Sequence, residues 1–222
     1  MINFSETLYL RALTQKGYIV MKRNDRRVRK TRAQLQKSLI ELMKTKNIKD
    51  ITVKELVDLA DINRSTFYLH YNNINDILKE MEQTLVTEIN QVFLTYKEEH
   101  SEEGTFQFIS GLLQAIYRNL EFCQVIFGEN GDREFTREIH VMVDDKIAER
   151  LKQDLGSNFK DHKYQSSYYV TGVMGMLHIW AYDDERMNPD RMAQLCYRLV
   201  MTSINYLKTL SPEELENFHS TR

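Results

Sequence analysis

An all-α protein is what this sequence predicts, and three observations predict it. Only 8 glycines and 2 prolines occur in 222 residues, too few for a chain of many strands and tight turns. Apolar residues recur at spacings of three and four, the signature of one buried helix face. Both prolines, Pro189 and Pro212, stand directly behind Asn188 and Ser211, as first helical positions stand behind capping residues. With 42% hydrophobic and 28% charged residues the chain can bury a core and has an ordinary globular balance. About nine helices are expected.

From Thr31 to Lys46, Leu35, Leu39, Leu42 and Met43 form one apolar stripe. Residues 47–51 read as a loop. Thr52 with Glu55 three positions later makes a capping box for a short second helix, whose buried face is Val53, Leu56, Val57 and Ala60. The chain must turn at Asp61, a residue that tolerates the left-handed conformation better than most. Asn63 can cap a third short helix from Arg64 to Tyr71. Helix, short helix, tight turn and short helix within some forty residues is a helix-turn-helix layout. Asn75 or Asp76 can cap a fourth helix running to about Glu98, with Ile77, Leu78, Met81, Leu85, Ile89, Val92 and Phe93 inward. Further helices are predicted over 105–120, 121–128, 132–155, 162–182 and 189–209. The fold class is thus an N-terminal three-helix helix-turn-helix domain followed by a C-terminal helical bundle. The expected organisation is a flexible basic extension over 1–27, the helix-turn-helix domain over 28–74, and a sensing and dimerisation domain over 75–222.

Residues 1–20 lack a secretory pattern, because Glu6, Arg11 and Lys16 interrupt any apolar stretch, and Met21 opens a more typical start. No apolar run approaches the roughly 20 residues of a membrane-spanning helix. Cys123 and Cys196 lie in helix-like apolar settings without a metal spacing. A reduced, cytoplasmic protein is the expectation. His140, His162 and His178 lack paired ligand spacing, so neither metal nor cofactor is expected. The chain has no phosphate-cradling glycine loop, nucleophile elbow or His-Glu metal motif, and Asp144-Asp145 and Asp183-Asp184 fit a solvated helical face. An enzyme is not expected.

Charge is distributed unevenly. Up to Ile74 there are 15 Lys and Arg against 7 Asp and Glu, a net +8, and beyond it 15 against 25, a net −10. A basic segment joined to an acidic body suggests that one end meets a polyanion. The third helix, Arg64-Ser65-Thr66-Phe67-Tyr68-Leu69-His70-Tyr71, supports this. With Phe67 and Tyr71 able to turn inward, Arg64, Ser65, Thr66, Tyr68 and His70 are left outward, with no carboxylate among them. Such a helix fits the major groove, where Arg grips guanine and Thr touches the thymine methyl. Tyr68 and His70 can donate to phosphates, and Thr52 and Lys54 can hold the flanking backbone. Ahead of the first helix stand Lys22, Arg23, Arg26, Arg27, Arg29, Lys30 and Arg32, a basic arm able to release counterions from a duplex.

On these residues, about 28 to 78, the chain resembles the DNA-binding domain of the TetR family of bacterial one-component regulators. The resemblance is carried by Ile51-Thr52-Val53-Lys54-Glu55-Leu56-Val57 and Asn63-Arg64-Ser65-Thr66-Phe67-Tyr68-Leu69-His70-Tyr71, in which Thr-Phe-Tyr-x-His-Tyr is quite specific. It implies that Thr52, Lys54, Ser65, Thr66, Tyr68 and His70 touch DNA. Arg29, Lys30, Arg64, Tyr71 and Asn72 complete the expected DNA-facing set. Two positions depart from the pattern: Ile74 stands where a phosphate-binding Lys is usual, leaving Asn72 and Asn73 as substitute donors, and Asp61 replaces the usual turn glycine.

Tyr168-Tyr169-Val170-Thr171-Gly172-Val173-Met174-Gly175, followed by Trp180, resembles a C-terminal subtype that includes regulators related to dihydroxyacetone kinase operons. The resemblance implies a homodimer built from the last two long helices of each chain. Gly172 and Gly175 would allow close approach, Met174, Leu177 and Ile179 would add apolar surface, and Met192, Leu195, Leu199, Ile204 and Leu207 would line the last helix. Tyr117, Phe122, Phe127, His140, Tyr169 and His178, together with Tyr164 and Trp180, are the candidates to line an effector pocket between helices. The function expected is a transcriptional regulator, a repressor that binds palindromic DNA and is released by an effector. The alternative is a helical co-regulator with a weakened DNA head, acting through a protein partner.

Overall fold

The computed structural model describes residues 26–96, 101–155 and 162–209. Among them are nine α-helices and no strand: α1 (Arg26–Met43), α2 (Val53–Ala60), α3 (Arg64–Tyr68), α4 (Ile74–Thr95), α5 (Glu102–Arg118), α6 (Leu120–Ile126), α7 (Arg133–Leu155), α8 (His162–Tyr182) and α9 (Pro189–Thr209). A single 3-10 turn, Ile48–Asp50, links α1 to α2, and Asn47 caps it by accepting from the Lys49 amide. Residues 1–25, including Lys22 and Arg23 of the expected basic arm, lie outside the described residues, as does Pro212.

Two compact units divide these helices. The first holds the chain up to Glu88 together with Asn119–Thr136, and the second holds Ile89–Arg118 and the chain from Arg137 onward.

In the first unit α1 packs on α2 and on α6. Leu35, Leu39 and Met43 from α1 meet a core to which Leu56, Val57 and Ala60 of α2, Phe67, and Phe122, Cys123, Val125 and Ile126 of α6 also belong. Burying an aliphatic or aromatic side chain of this size contributes about 1.5–3 kcal/mol. Val53 and Leu42 are only half-buried, at the edge of the stripe. Burial pushes the Cys123 thiol up to about 12, with the Glu88 charge adding to it, so this cysteine stays a neutral, inert core residue.

In the second unit α5 packs along α9. Leu151, Tyr169, Met201 and Ile204 form one buried cluster, against which Ile147, Tyr197 and Val200 pack. The Ser203 hydroxyl lies 3.1 Å from the Tyr169 hydroxyl, which satisfies that buried phenol. Gly111 marks a close approach: a Cβ there would stand 3.0 Å from the Val92 side chain on α4. The Trp180 indole donates to the Met187 carbonyl at 2.7 Å, fixing the bend between α8 and α9, and Asn188 caps α9 through the Arg191 amide at 2.8 Å. No helix among the described residues is long and apolar enough to cross a membrane.

Several boundaries depart from the sequence expectation. Helix α1 begins at Arg26, so Arg29 and Lys30 stand on a helix rather than on a flexible arm. Helix α3 ends at Tyr68, three residues early, and the chain leaves it through a turn at Leu69 and His70. The cap of α4 is Asn73, which accepts from the Asp76 amide at 3.1 Å, while Asp76 reaches back to the Asn72 amide at 2.8 Å. This cap, two residues earlier than Asn75, starts the helix at Ile74, which is buried.

Candidate nucleic-acid interface

The local chemistry of residues 52–63 fixes the angle between α2 and α3. The Thr52 hydroxyl accepts from the Glu55 amide at 3.2 Å, and the Glu55 carboxylate accepts from the Thr52 amide at 2.9 Å and its hydroxyl at 2.8 Å. Lys46 closes an ion pair on the same carboxylate. That ion pair, followed by the Thr52 hydrogen bonds, pulls the Glu55 carboxyl down to about 2. At the other end of α2, Asp61 takes φ 53° and ψ 48°, the left-handed conformation at which the helix stops. It is the only non-glycine residue with positive φ among those described. The Ile62 amide then donates to the Val57 carbonyl at 3.0 Å, closing the helix end with a backbone bond typical of such caps. Asn63 caps α3 by accepting from the Ser65 amide at 2.9 Å and hydroxyl at 2.8 Å.

Helix α3 is anchored on one side only. Phe67 is fully buried, with its ring edge-on to Tyr68 at 5.1 Å and tilted against Tyr71 at 6.1 Å. On the opposite side Arg64 and Ser65 are exposed, Tyr68 is 49% exposed, and Thr66 and His70 are half-buried. Lys54 and Thr52 are exposed at the start of α2. Lys54, Arg64, Thr66, Tyr68 and His70 offer N–H and O–H donors without a carboxylate among them, while the Thr52 and Ser65 hydroxyls already donate to Glu55 and Asn63. Leu69, 80% exposed, extends the same surface with an apolar tip. Sequence reasoning passed over it because a leucine in a short helix is ordinarily assigned to the core. Leu59, exposed near the end of α2, was missed for the same reason.

Tyr71 is corrected. It is only 5% exposed and cannot meet a duplex with its ring. Its ring lies 5.5 Å beneath the Arg32 guanidinium, and Arg32 in turn pairs with Glu80 of α4 at 3.2 Å. Burial first, then the Glu80 carboxylate, pushes the Tyr71 phenol well above its ordinary value. Tyr71 therefore joins α1, α3 and α4 from inside, an arrangement foreshadowed by its spacing of four from Phe67. His70 feels the same cluster: burial, then the Arg32 charge, lower its pKa, which favours the neutral imidazole. Asn72 is exposed, yet its amide side chain already donates to Asp76 at 3.1 Å, so it is not a free replacement for a lysine at Ile74. Arg29 and Lys30 are exposed on the first turns of α1.

The effector candidates are divided between the two units. Phe122 and Phe127 belong to the first unit, where Phe122 is buried and Phe127 stacks on Phe135 at 6.5 Å. Tyr117, His140, Tyr169 and His178 belong to the second. Tyr117 and His178 are exposed, against Trp180 at 5.9 Å and Tyr182 at 4.9 Å respectively, while Tyr169 sits in the core cluster and His140 is half-buried. Tyr164 is exposed on α8. The described residues contain no group of three His, Cys, Asp or Glu able to hold a metal ion.

Helices α8 and α9 each expose an apolar stripe among polar residues such as Ser167, Thr171, Gln194 and Arg198. Tyr164, Tyr168, Ile179 and Tyr182 of α8 are exposed, and a Cβ on Gly172 or Gly175 would meet nothing within 4 Å. On α9 Leu195, Leu199 and Tyr206 are exposed at helical spacing. Met192 and Ile204, expected on that face, are buried in the unit's own core, and so is Leu177.

A capped helix-turn-helix ahead of further helices defines the architectural class, an all-α helix-turn-helix protein. Residues 103–202 match the family TetR_C_8, the transcriptional regulator C-terminal region. An HTH-type transcriptional regulator of Bacillus subtilis (strain 168), YxbF, is 22% identical over 172 residues, 76% of this chain and 44% of the relative, so the match spans less than half of that protein. A TetR transcriptional regulator from Streptococcus agalactiae 2603V superposes with TM-score 0.52 at 18% identity, over 79% of this chain and 96% of that one. The dihydroxyacetone kinase operon activator DhaS gives 0.50 at 16% identity, over 79% and 97%. Residues 103–202 thus match the TetR_C_8 C-terminal region, and the solved structures share the chain's fold.

Proposed function

We propose that the chain is a cytoplasmic transcriptional regulator that binds palindromic double-stranded DNA as a homodimer, represses, and is released by a small-molecule effector bound in its C-terminal domain. The observation that carries this reading is the carboxylate-free surface of α3, held outward by Phe67 and by two side-chain caps around a left-handed turn. An α-helix presenting Arg, Ser, Thr, Tyr and His without an opposing acid suits the major groove and its phosphates. Residues 28–74 act as the DNA head and 75–222 as the sensing and dimerisation domain, preceded by the basic extension. The apolar stripes exposed on α8 and α9 support the homodimer, because two heads one helical turn apart read two half-sites. Effector binding acts by favouring a head spacing unsuited to the operator. DhaS is named an activator, so a reporter placed behind the operator is needed to read the sign of regulation; lower expression in the presence of the protein is the expected result.

The test of DNA binding is fluorescence anisotropy on duplexes enriched from a random library, repeated across salt. A two-fold site bound more weakly as salt rises supports the reading, and no enrichment at low salt overturns it. One observation favours the second reading, a co-regulator with a weakened head: Ile74 is buried where a phosphate-binding lysine is usual, and Asn72 is already engaged by Asp76. Capture of a second regulator together with failure to enrich DNA would establish it instead.

A further inference from the structure

On the reading that α3 enters the major groove, we infer that Arg64 and Tyr68 act as one unit, Tyr68 positioning the Arg64 guanidinium to read a guanine in each half-site. The Arg64 Nη2 donates to the Tyr68 hydroxyl at 3.3 Å, and its Cζ lies 5.7 Å from the Tyr68 ring centroid. The two residues are one helical turn apart, so the contact belongs to α3 itself and is made before any partner arrives. Arginine has large rotamer freedom, and a side chain already confined by a hydrogen bond and a ring face loses less of it on binding. The guanidinium carries five N–H donors in a fixed fork; Tyr68 engages one, which leaves enough for a bidentate contact. Both side chains are exposed, and among the described residues no carboxylate is paired with Arg64. A bidentate arginine finds its matching acceptors at O6 and N7 of guanine.

The experiment uses the full chain and the duplexes enriched from a random library. Each guanine of the enriched half-site is replaced in turn by 7-deazaguanine, which removes the N7 acceptor. One guanine in each half-site is expected to show about a tenfold loss of affinity on replacement. Arg64→Ala should bind the natural and the 7-deaza duplex equally. Tyr68→Phe, which keeps the ring and removes the hydroxyl, should shrink that discrimination while leaving the thermal midpoint and dimer unchanged. Adding Tyr68→Phe to Arg64→Ala should change the discrimination no further. An enriched site lacking such a guanine overturns the inference and leaves the DNA reading standing. So does a 7-deaza penalty that survives in Arg64→Ala, or a Tyr68→Phe variant that discriminates as well as the parent. Failure to enrich any duplex overturns the DNA reading and the inference together.

Discussion

Helix α3 and the pair α8 and α9 expose opposite chemistries. On α3 the outward side chains are mainly donors, and the one large buried group, Phe67, holds the helix in place. On α8 and α9 the outward side chains include Tyr168, 71% exposed, Ile179, 72% exposed, and Leu199, with two glycines open between them. Solvent-facing polar groups keep their hydration whatever else happens, whereas a row of aromatic and aliphatic side chains along two helices gains from being covered. The difference teaches where each surface gets its meaning. On the proposed function an anionic duplex meets the α3 surface and a second copy covers the apolar stripes of α8 and α9.

Removing what holds α3 outward has the largest expected effect. Phe67→Ala should destabilise the first unit by about 3–5 kcal/mol, read by urea denaturation, because it empties a fully buried ring site. Ile179→Glu combined with Leu199→Glu tests the other surface, leaving the fold intact since both residues face outward. Sedimentation should then report a monomer, with DNA affinity reduced roughly a hundredfold by loss of the second half-site. A dimer that persists would show that these faces do not form it. Thr52→Ala removes the two capping-box hydrogen bonds of the hydroxyl, keeps the one from the backbone amide to Glu55, and should cost about 1 kcal/mol. The smallest effect is on pH. The Glu55 carboxyl is lowered to about 2, chiefly by Lys46, so its stabilisation is complete above the ordinary carboxylate range near 4.5. It is lost as pH falls from there through about 2. Glu55→Gln should therefore flatten the acid side of the stability profile between those values, measured by thermal melts at stepped pH.

Much of the head was legible because its determinants are local. Thr52, Asp61 and Asn63 act within four residues of themselves, as Glu55 does in the capping box, and these roles follow from their chemistry. The bounds of α8 and α9 were legible for a similar reason: Asn188 and Pro189 mark the start of α9, and the charged stretch from Asp183 separates the pair. What the sequence concealed depends on long-range packing. The stretch of α1 before Thr31 has no apolar period, so its helicity from Arg26 could not be seen. Tyr71 has the chemistry of a phosphate donor, yet the Arg32–Glu80 pair, 48 residues apart in sequence, encloses it. Which apolar residues of α9 face the core was hidden too, since Leu195 and Met192 belong to overlapping stripes and only the packing separates them. Which effector candidates belong to the core was hidden for the same reason: aromatic residues mark cores and pockets alike, and composition cannot tell them apart.

The central claim is that the outward side chains of α3 are the surface that binds duplex nucleic acid. It is tested most directly by salt-titrated anisotropy of the full chain and of Thr66→Ala/Tyr68→Ala on one enriched two-fold duplex. The account predicts that the parent binds, with log affinity falling linearly against log salt, and that the double variant remains folded and dimeric but loses the preference for that duplex over a random one. Undiminished, sequence-selective binding by the double variant would contradict it.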